Sequence, residues 1–138
     1  MRLATKPLLV AVLALAAGFA PAPAQAQPPD RLVAGWYRQY LNRYPDPAGM
    51  RSFMDQIASG TDPRYIQATI LASNEYYELH GSDPGRWVQA VYRDVVGRRP
   101  DRREFGYWMD RLMRTGEPNE TKRRGVAYDF LREREREY

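Results

Sequence analysis

The chain has 138 residues, no cysteine and a formal net charge of +4. The length allows one domain, and the lack of cysteine excludes a disulfide framework and thiol chemistry. Without Arg2 and Lys6, which lie in an N-terminal leader, 19 basic residues stand against 17 acidic ones, a net charge of about +2. A nucleic-acid-binding protein needs basic residues clustered on one face, and this nearly balanced charge does not indicate such a cluster. We therefore expect no nucleic-acid partner.

The first 26 residues have the pattern of a signal peptide. A short basic start precedes the apolar run PLLVAVLALAAGFA, which is too short to span a membrane comfortably. Small residues follow and end at Ala24–Ala26, so we predict cleavage between Ala26 and Gln27 and export to the periplasm or the extracellular space. Residues 27–138 contain no apolar run long enough for a second membrane pass.

Apolar residues then recur at helical spacing, and the pattern appears twice. The first stripe runs from Leu32 to Leu41 and the second from Trp87 to Val96. Between residues 33 and 57, eight positions are identical to the positions 55 residues later, which predicts a duplication. They are Val33, Tyr37, Arg38, Arg43, Pro45, Asp46, Met54 and Asp55, matched by Val88, Tyr92, Arg93, Arg98, Pro100, Asp101, Met109 and Asp110.

The sequence therefore predicts a single all-α domain over residues 27–138, made of two fused three-helix repeats around a shared core. Repeat one covers about 30–80 and repeat two about 84–138. The expected helices are 30–43, 47–59, 63–80, 84–97, 102–115 and 119–136.

Each repeat contains the motif Arg-x-Pro-Asp, at residues 43–46 and 98–101. The proline stops one helix, and we predict that the aspartate caps the next. Asp101 and Glu104 have the spacing of a capping box. The predicted capping residues are Asp46 with Pro47, Asp62, Asp83, and Asp101 with Glu104. A calcium loop would show several alternating acids, so we predict no metal ligand here, although a calcium-dependent adhesion element stays open as an alternative.

Two other repeated acids, Asp55 and Asp110, are the candidates for a catalytic carboxylate pair. The other interpretation is that each acid forms an ion pair with a repeated arginine, Asp55 with Arg38 and Asp110 with Arg93. The single histidine, His80, lies at a predicted helix C-terminus, where a charged imidazole suits the helix dipole. No catalytic motif of a common enzyme class is present, so we predict a protein without catalytic residues and without a cofactor.

The chain has ten tyrosines, and several fall outside the predicted apolar stripes. Exposed tyrosines suit a protein interface or a sugar-binding surface. We predict a possible interaction surface made of Tyr44, Tyr76, Tyr77 and Tyr107. The chain closes with REREREY, which is typical of a solvated helix end with opposite charges three residues apart.

The repeated pattern resembles the bacterial domain-of-unknown-function family 4214, which is similar to phycobilisome linker domains. The resemblance rests on the two Arg-x-Pro-Asp motifs, the aromatic residues around them, Gly60 and Gly116, and ILASNEYY at residues 70–77. Asn42 and Glu104 replace glycines of the family pattern, and the Ser-x-Glu-Tyr ending is present only in repeat one. The resemblance implies a non-catalytic assembly or binding role.

Together these features predict an exported, non-enzymatic interaction or structural module of the cell envelope or extracellular space. Its expected partner is a protein or an envelope component. A carboxylate-dependent envelope hydrolase and a calcium-dependent adhesion element are the alternatives.

Overall fold

The computed structural model describes residues 26–136, and these residues are all-helical. The predicted signal peptide lies outside the described residues, apart from its last residue. Ala26 and Gln27 are exposed and non-helical, directly before the first helix. The helices are α1 (Pro29–Leu41), α2 (Pro47–Ala58), α3 (Pro63–Ala72), α4 (Asn74–Leu79), α5 (Pro84–Val96), α6 (Arg102–Met113) and α7 (Glu120–Glu135). None of the helices in this range is long and apolar enough to cross a membrane.

The all-α prediction is confirmed, but the helix expected over 63–80 is wrong, because it is two helices. The helix breaks at Ser73, whose backbone angles (φ of −54°, ψ of 149°) are not helical. The Ser73 hydroxyl donates to the Ile70 carbonyl at 2.8 Å and accepts from the Tyr76 amide at 3.2 Å. A serine that bonds both to the preceding turn and to the following one competes with a continuous helix. The described residues therefore form seven helices.

Proline and aspartate residues set most of the helix starts. The Asp46 carboxylate accepts from the Gly49 amide at 2.7 Å, and Pro47 is the first residue of α2. Asp62 accepts from the Arg64 amide and caps α3, Asp83 accepts from the Arg86 amide and caps α5, and each of these aspartates is followed by a proline. These side chains satisfy amides that the first turn of a helix leaves without partners.

We call α1–α4 the first half of the protein and α5–α7 the second half. The first helix of each half, α1 or α5, is followed by a residue with left-handed backbone angles. This residue is Gly97 after α5, with φ of 80°, and Asn42 after α1, with φ of 51°. Asparagine tolerates this conformation better than other non-glycine side chains, which explains why Asn42 can stand where the second half has Gly97.

The two halves share one hydrophobic core. Helices α3 and α7 make the most extensive helix–helix contact in the described chain. They run antiparallel, because Arg64 near the start of α3 pairs with Glu135 at the end of α7, whereas Ala72 contacts Arg123 near the start of α7. The buried cluster draws on both halves and includes Val33, Ile66, Leu71, Trp87, Leu112, Ala127 and Phe130.

Arg123 is the single charged residue buried within residues 26–136, with 2% of its surface exposed. Its guanidinium donates to the Ala72 carbonyl at 3.0 Å, the Pro118 carbonyl at 3.1 Å and the Asn74 side-chain oxygen at 2.7 Å. It also lies over the Tyr77 ring, 4.1 Å from the centroid. Arg123 thus satisfies the carbonyl freed where α3 ends and joins the α3–α4 break to α7.

Candidate functional site

The first Arg-x-Pro-Asp motif ties the α1–α2 turn to α4. Arg43 pairs with Glu75 through two hydrogen bonds of 2.7 Å each. It also donates to the Tyr44 carbonyl at 3.0 Å and lies 5.1 Å from the Tyr37 ring centroid. A fork-to-fork arginine–carboxylate pair is the strong form of this interaction, so the motif arginine orients the turn and holds α4 against α1.

The second motif repeats these contacts with a different acid. Arg98 donates to the Arg99 carbonyl at 3.0 Å and lies 5.7 Å from the Tyr92 ring centroid. Its carboxylate partner is Glu104 of α6, at 2.8 and 2.7 Å. Glu104 stands where the first half has Gly49, so in the second half the motif arginine needs no acid from a fourth helix.

Glu104 also completes a capping box. Its carboxylate accepts from the Asp101 amide at 2.8 Å, and Asp101 accepts from the Glu104 amide at 2.8 Å. Each of the two motif aspartates therefore accepts the amide three residues ahead of it. Within residues 26–136, no group of three histidine or acidic side chains is arranged to hold a metal ion.

We expect Asp101→Ala to lower the free energy of unfolding by about 1–2 kcal/mol, because it removes one half of the capping box and loosens the other. Asp46→Ala, which removes a single cap, is the matched variant and should cost about 1 kcal/mol. Urea denaturation measures both. A smaller loss for Asp101→Ala than for Asp46→Ala would contradict the role given to Glu104.

The ion pair with Arg98, helped by the Asp101 amide, lowers the pKa of Glu104 from 4.5 to about 2. The lowered pKa means that ionised Glu104 stabilises the fold above pH 4.5, and that this stabilisation is lost as the pH falls from 4.5 towards 2. The pair is partly exposed, so solvent screens it and we expect a small contribution to stability. Unfolding of Glu104→Gln, measured between pH 7 and pH 3, should show a weaker pH dependence than wild type. Parallel curves for the two proteins would refute this assignment.

A cleft of about 400 Å³ lies beside the second motif, and we call it the motif cleft. Buried aromatic rings form its floor, with Phe130 4.9 Å from Tyr92 and 5.1 Å from Trp108 between centroids. Its rim carries charged and polar groups from the motif, α6 and α7. The rim residues are Arg98, Asp101, Arg103, Glu104, Tyr107, Glu133 and Arg134.

Two of the four tyrosines predicted to form a surface are exposed. Tyr107, 47% exposed, lies on the rim of the motif cleft, and its hydroxyl accepts from Arg111 at 2.7 Å. Tyr44, 67% exposed, lines a separate open cleft of about 590 Å³ beside the first motif. Arg38 lies 5.6 Å from the Tyr44 ring centroid.

The other two tyrosines do not belong to that surface, and the prediction was wrong for them. Tyr76 is 0% exposed, and its hydroxyl donates to Asp94 at 2.8 Å. Tyr77 is half-buried under Arg123. The break at Ser73 is the physical reason, because it turns α4 so that these rings face α1, α5 and α7 rather than solvent.

The predicted ion pairs of Asp55 and Asp110 were also wrong. Asp110 pairs with Arg114 at 3.0 Å, and Arg93 pairs with its neighbour Asp94 at 3.1 Å. Asp55 is exposed on α2. Both repeated acids thus lie on the outer surfaces of their helices rather than in a shared pocket.

His80 differs from the expectation as well. Its ring packs edge-on against Tyr76, with centroids 4.5 Å apart. Burial lowers the pKa of His80, and the Asp94 carboxylate offsets this only in part. The neutral imidazole is therefore favoured, not the charged form expected at a helix C-terminus.

Sequence reasoning missed the arginines of the motif cleft. Arg103 and Arg134 line it, and Arg134 belongs to the REREREY segment that we interpreted as solvated. The position of Arg134 could have indicated this, because it lies one helical turn after Phe130 on α7 and therefore on the same face of the helix.

Comparison with known proteins supports the resemblance found in the sequence. Residues 29–79 match the family model of DUF4214, a domain of unknown function. The search of curated proteins found no match, and the search of solved structures found none either. The match runs from the first residue of α1 to the last residue of α4. The segment α1–α4 therefore matches the model of a domain family, DUF4214, whose function is unknown.

Proposed function

We propose that the protein is an exported, non-enzymatic interaction module of the cell envelope or extracellular space, and that the motif cleft is its binding site. The observation that carries this proposal is the lining of the cleft. Buried tyrosine, tryptophan and phenylalanine rings meet a rim that carries three arginines, three acids and an exposed tyrosine. Tyrosine, tryptophan and arginine are the residues that dominate the energetics of protein interfaces.

The charges on the rim support recognition rather than acid–base chemistry. Glu104 is held by Arg98 and by the Asp101 amide, and its pKa of about 2 keeps it ionised at neutral pH. A general acid needs a pKa near the working pH. The Asp101 carboxylate accepts a helix amide. Glu104 therefore shapes the cleft instead of exchanging a proton with a substrate.

Two further arginines line the rim, and the charge of one of them, Arg134, also helps to lower the pKa of Glu104. Arg103 and Arg134 make no ion pair with any residue between 26 and 136. Tyr107 lies beside them, held in place by Arg111 and by its edge contact with Trp108. An arginine on the rim of an interface sets the choice of an acidic partner and the rate of encounter.

Export rests on the N-terminal sequence. We expect mass spectrometry of the protein recovered from outside the cytoplasm to give an N-terminus at Gln27. A protein recovered there with the leader intact would contradict the cleavage site.

Binding is tested by capture from an envelope extract. Three immobilised proteins are compared: wild type, the cleft variant Tyr107→Ala/Arg103→Glu, and the control variant Tyr65→Ala/Arg124→Glu. The control changes the same residue types at another surface, where Arg124 lies 5.5 Å from the Tyr65 ring centroid. We expect wild type and control to retain the same species and the cleft variant to lose it. Equal recovery by the cleft variant, or no specific species with wild type, would refute the proposal.

A further inference from the structure

We infer that the motif cleft binds an acidic segment of a partner protein, and that this segment continues past Asp101 into a neighbouring cleft, where arginines bind its carboxylates. This inference rests on the proposed function and names the chemistry of the partner. The neighbouring cleft has a volume of about 350 Å³ and shares Asp101 with the motif cleft, and we call it the flank cleft. We call Arg99, Arg102 and Arg103, which surround Asp101 in the sequence, the turn arginines.

The turn arginines are exposed, and their side chains make no ion pair or hydrogen bond with any residue between 26 and 136. Arg99 and Arg102 line the flank cleft, and Arg103 lines the motif cleft. Asp101 lines both clefts, and its carboxylate accepts the Glu104 amide at 2.8 Å. Unpaired arginine side chains are therefore available to a partner in both clefts.

The first half shows that the turn itself does not need these arginines. The corresponding positions, 55 residues earlier, are Tyr44, Pro47 and Ala48. The two turns nevertheless make the same contacts, since each motif aspartate caps the next helix and each motif arginine donates to the following carbonyl. The turn arginines are thus a feature of the second half that the shared local structure does not explain.

Two of the turn arginines also oppose the local stability of the fold. Arg102 and Arg103 are the first two residues of α6, and the partial positive charge at a helix N-terminus disfavours cations there. Arg99 adds a further positive charge to the same turn, next to Arg98. The capping box already takes up an amide of this helix end, so the arginines are the groups that would bind an anion. An anionic partner would relieve the repulsion among these charges.

The charge of the whole protein is distributed in the same way. Residues 29–79 of the first half contain five basic and six acidic residues, whereas residues 84–135 of the second half contain thirteen basic and nine acidic ones. The excess positive charge therefore lies in the half that carries both clefts. Such an asymmetry directs an acidic partner to that half and raises the rate of encounter.

The other residues of the two clefts favour a protein segment over a uniformly charged polyanion or membrane surface. Asp101 lines both clefts and Glu133 lines the motif cleft, so a uniform layer of negative charge would be repelled there. A protein segment can place neutral residues beside these acids. Phe105 in the flank cleft and the exposed Tyr107 in the motif cleft offer contacts to its apolar or aromatic side chains. The guanidinium groups match carboxylates through paired hydrogen bonds.

The test is a fluorescence-anisotropy titration of a fluorescein-labelled peptide of four Glu-Gly-Tyr repeats with the protein. We expect saturable binding with Kd on the order of 100 µM, which weakens as salt is added. Arg99→Gln/Arg102→Gln should weaken binding at least about five-fold, because it removes charge-assisted hydrogen bonds in the flank cleft. Arg31→Gln/Arg51→Gln removes the same charge from exposed positions of the first half and should change binding less than about two-fold. Urea unfolding should show that both variants are folded.

The absence of saturable binding, an equal loss in both variants, or equal binding of a Gln-Gly-Tyr peptide would overturn the inference. Tighter binding of tetraglutamate or of phosphatidylglycerol vesicles would also overturn it, since the site would then prefer a uniform negative charge. Self-association that Arg99→Gln/Arg102→Gln abolishes would identify a second copy as the partner and overturn it too. An extract species that this variant retains, but that the Tyr107→Ala/Arg103→Glu variant loses, would refute this inference and leave the proposed function intact.

Discussion

Replacing Arg123 with alanine should lower the free energy of unfolding by about 3–5 kcal/mol, the largest effect we expect of any polar substitution in this protein. The change removes the donor for the Ala72 carbonyl, the Pro118 carbonyl and the Asn74 side chain at once. Burial lowers the pKa of Arg123, but a guanidinium stays charged at any pH at which the protein folds. The buried acceptors would therefore lose a charged donor that water cannot easily replace.

Chemical denaturation of three variants separates the causes of this loss. Arg123→Lys keeps the charge without the planar fork, and should recover only part of the stability. Arg123→Met keeps much of the volume without any donor, and should resemble alanine more than lysine. Arg124→Ala is the control, because its half-exposed side chain on the same helix should cost less than about 1 kcal/mol. A loss below about 1 kcal/mol for Arg123→Ala would show that this residue does not hold the α3–α4 break to α7.

Trp87→Ala should cost about 3–5 kcal/mol, because it opens a cavity at the centre of the shared core. Trp87 is 1% exposed, and its indole nitrogen donates to the Leu71 carbonyl at 2.8 Å. This contact links α5 of the second half to α3 of the first. The substitution thus removes both packing and the bond between the halves.

Trp87→Phe separates the effect of packing from the effect of the hydrogen bond to the Leu71 carbonyl. Phenylalanine keeps an aromatic ring but leaves the Leu71 carbonyl without its donor, so we expect a loss of about 1–3 kcal/mol. Tyr107→Ala, at an exposed ring, should change stability by about 0.5 kcal/mol or less. Thermal or urea unfolding that gave Trp87→Ala and Tyr107→Ala similar stabilities would contradict the position of Trp87 in the core.

The helices were predictable because their signals are local. Asp46, Asp62, Asp83 and Asp101 each accept amides within their own first turn, so spacing along the chain is enough to identify them. The apolar stripes likewise follow from helical periodicity. The break at Ser73 was missed because a serine inside an apolar helical pattern also fits a continuous helix, and only the bonds that its hydroxyl makes show the difference.

The contacts between helices were not predictable in the same way. Glu75 and Glu135 occupy aligned positions, yet Glu75 pairs with Arg43 and Glu135 with Arg64. The partners differ because Glu104 already pairs with Arg98, the motif arginine of the second half. The burial of Arg123 could not be predicted from the apolar pattern, since a basic residue near the start of a charged helix is ordinarily solvated.

The candidate site was predictable in part for the same reasons. Tyr107 and the second Arg-x-Pro-Asp motif stand out in the sequence, and both border the motif cleft. Its floor depends on how Trp108 of α6 meets Phe130 of α7, which are 22 positions apart. Such a meeting is set by the packing of the whole core, and neither helix encodes it alone.

Site-directed photo-crosslinking in exporting cells tests the central claim, that the motif cleft is a binding site, most directly. A photoreactive phenylalanine analogue replaces Tyr107 in one protein and Tyr65, on the α3–α7 surface, in another. We predict a discrete adduct of the exported protein from position 107 and none from position 65, and loss of that adduct when Arg103→Glu is added. Equal labelling from both positions, or no adduct from position 107, would contradict the account.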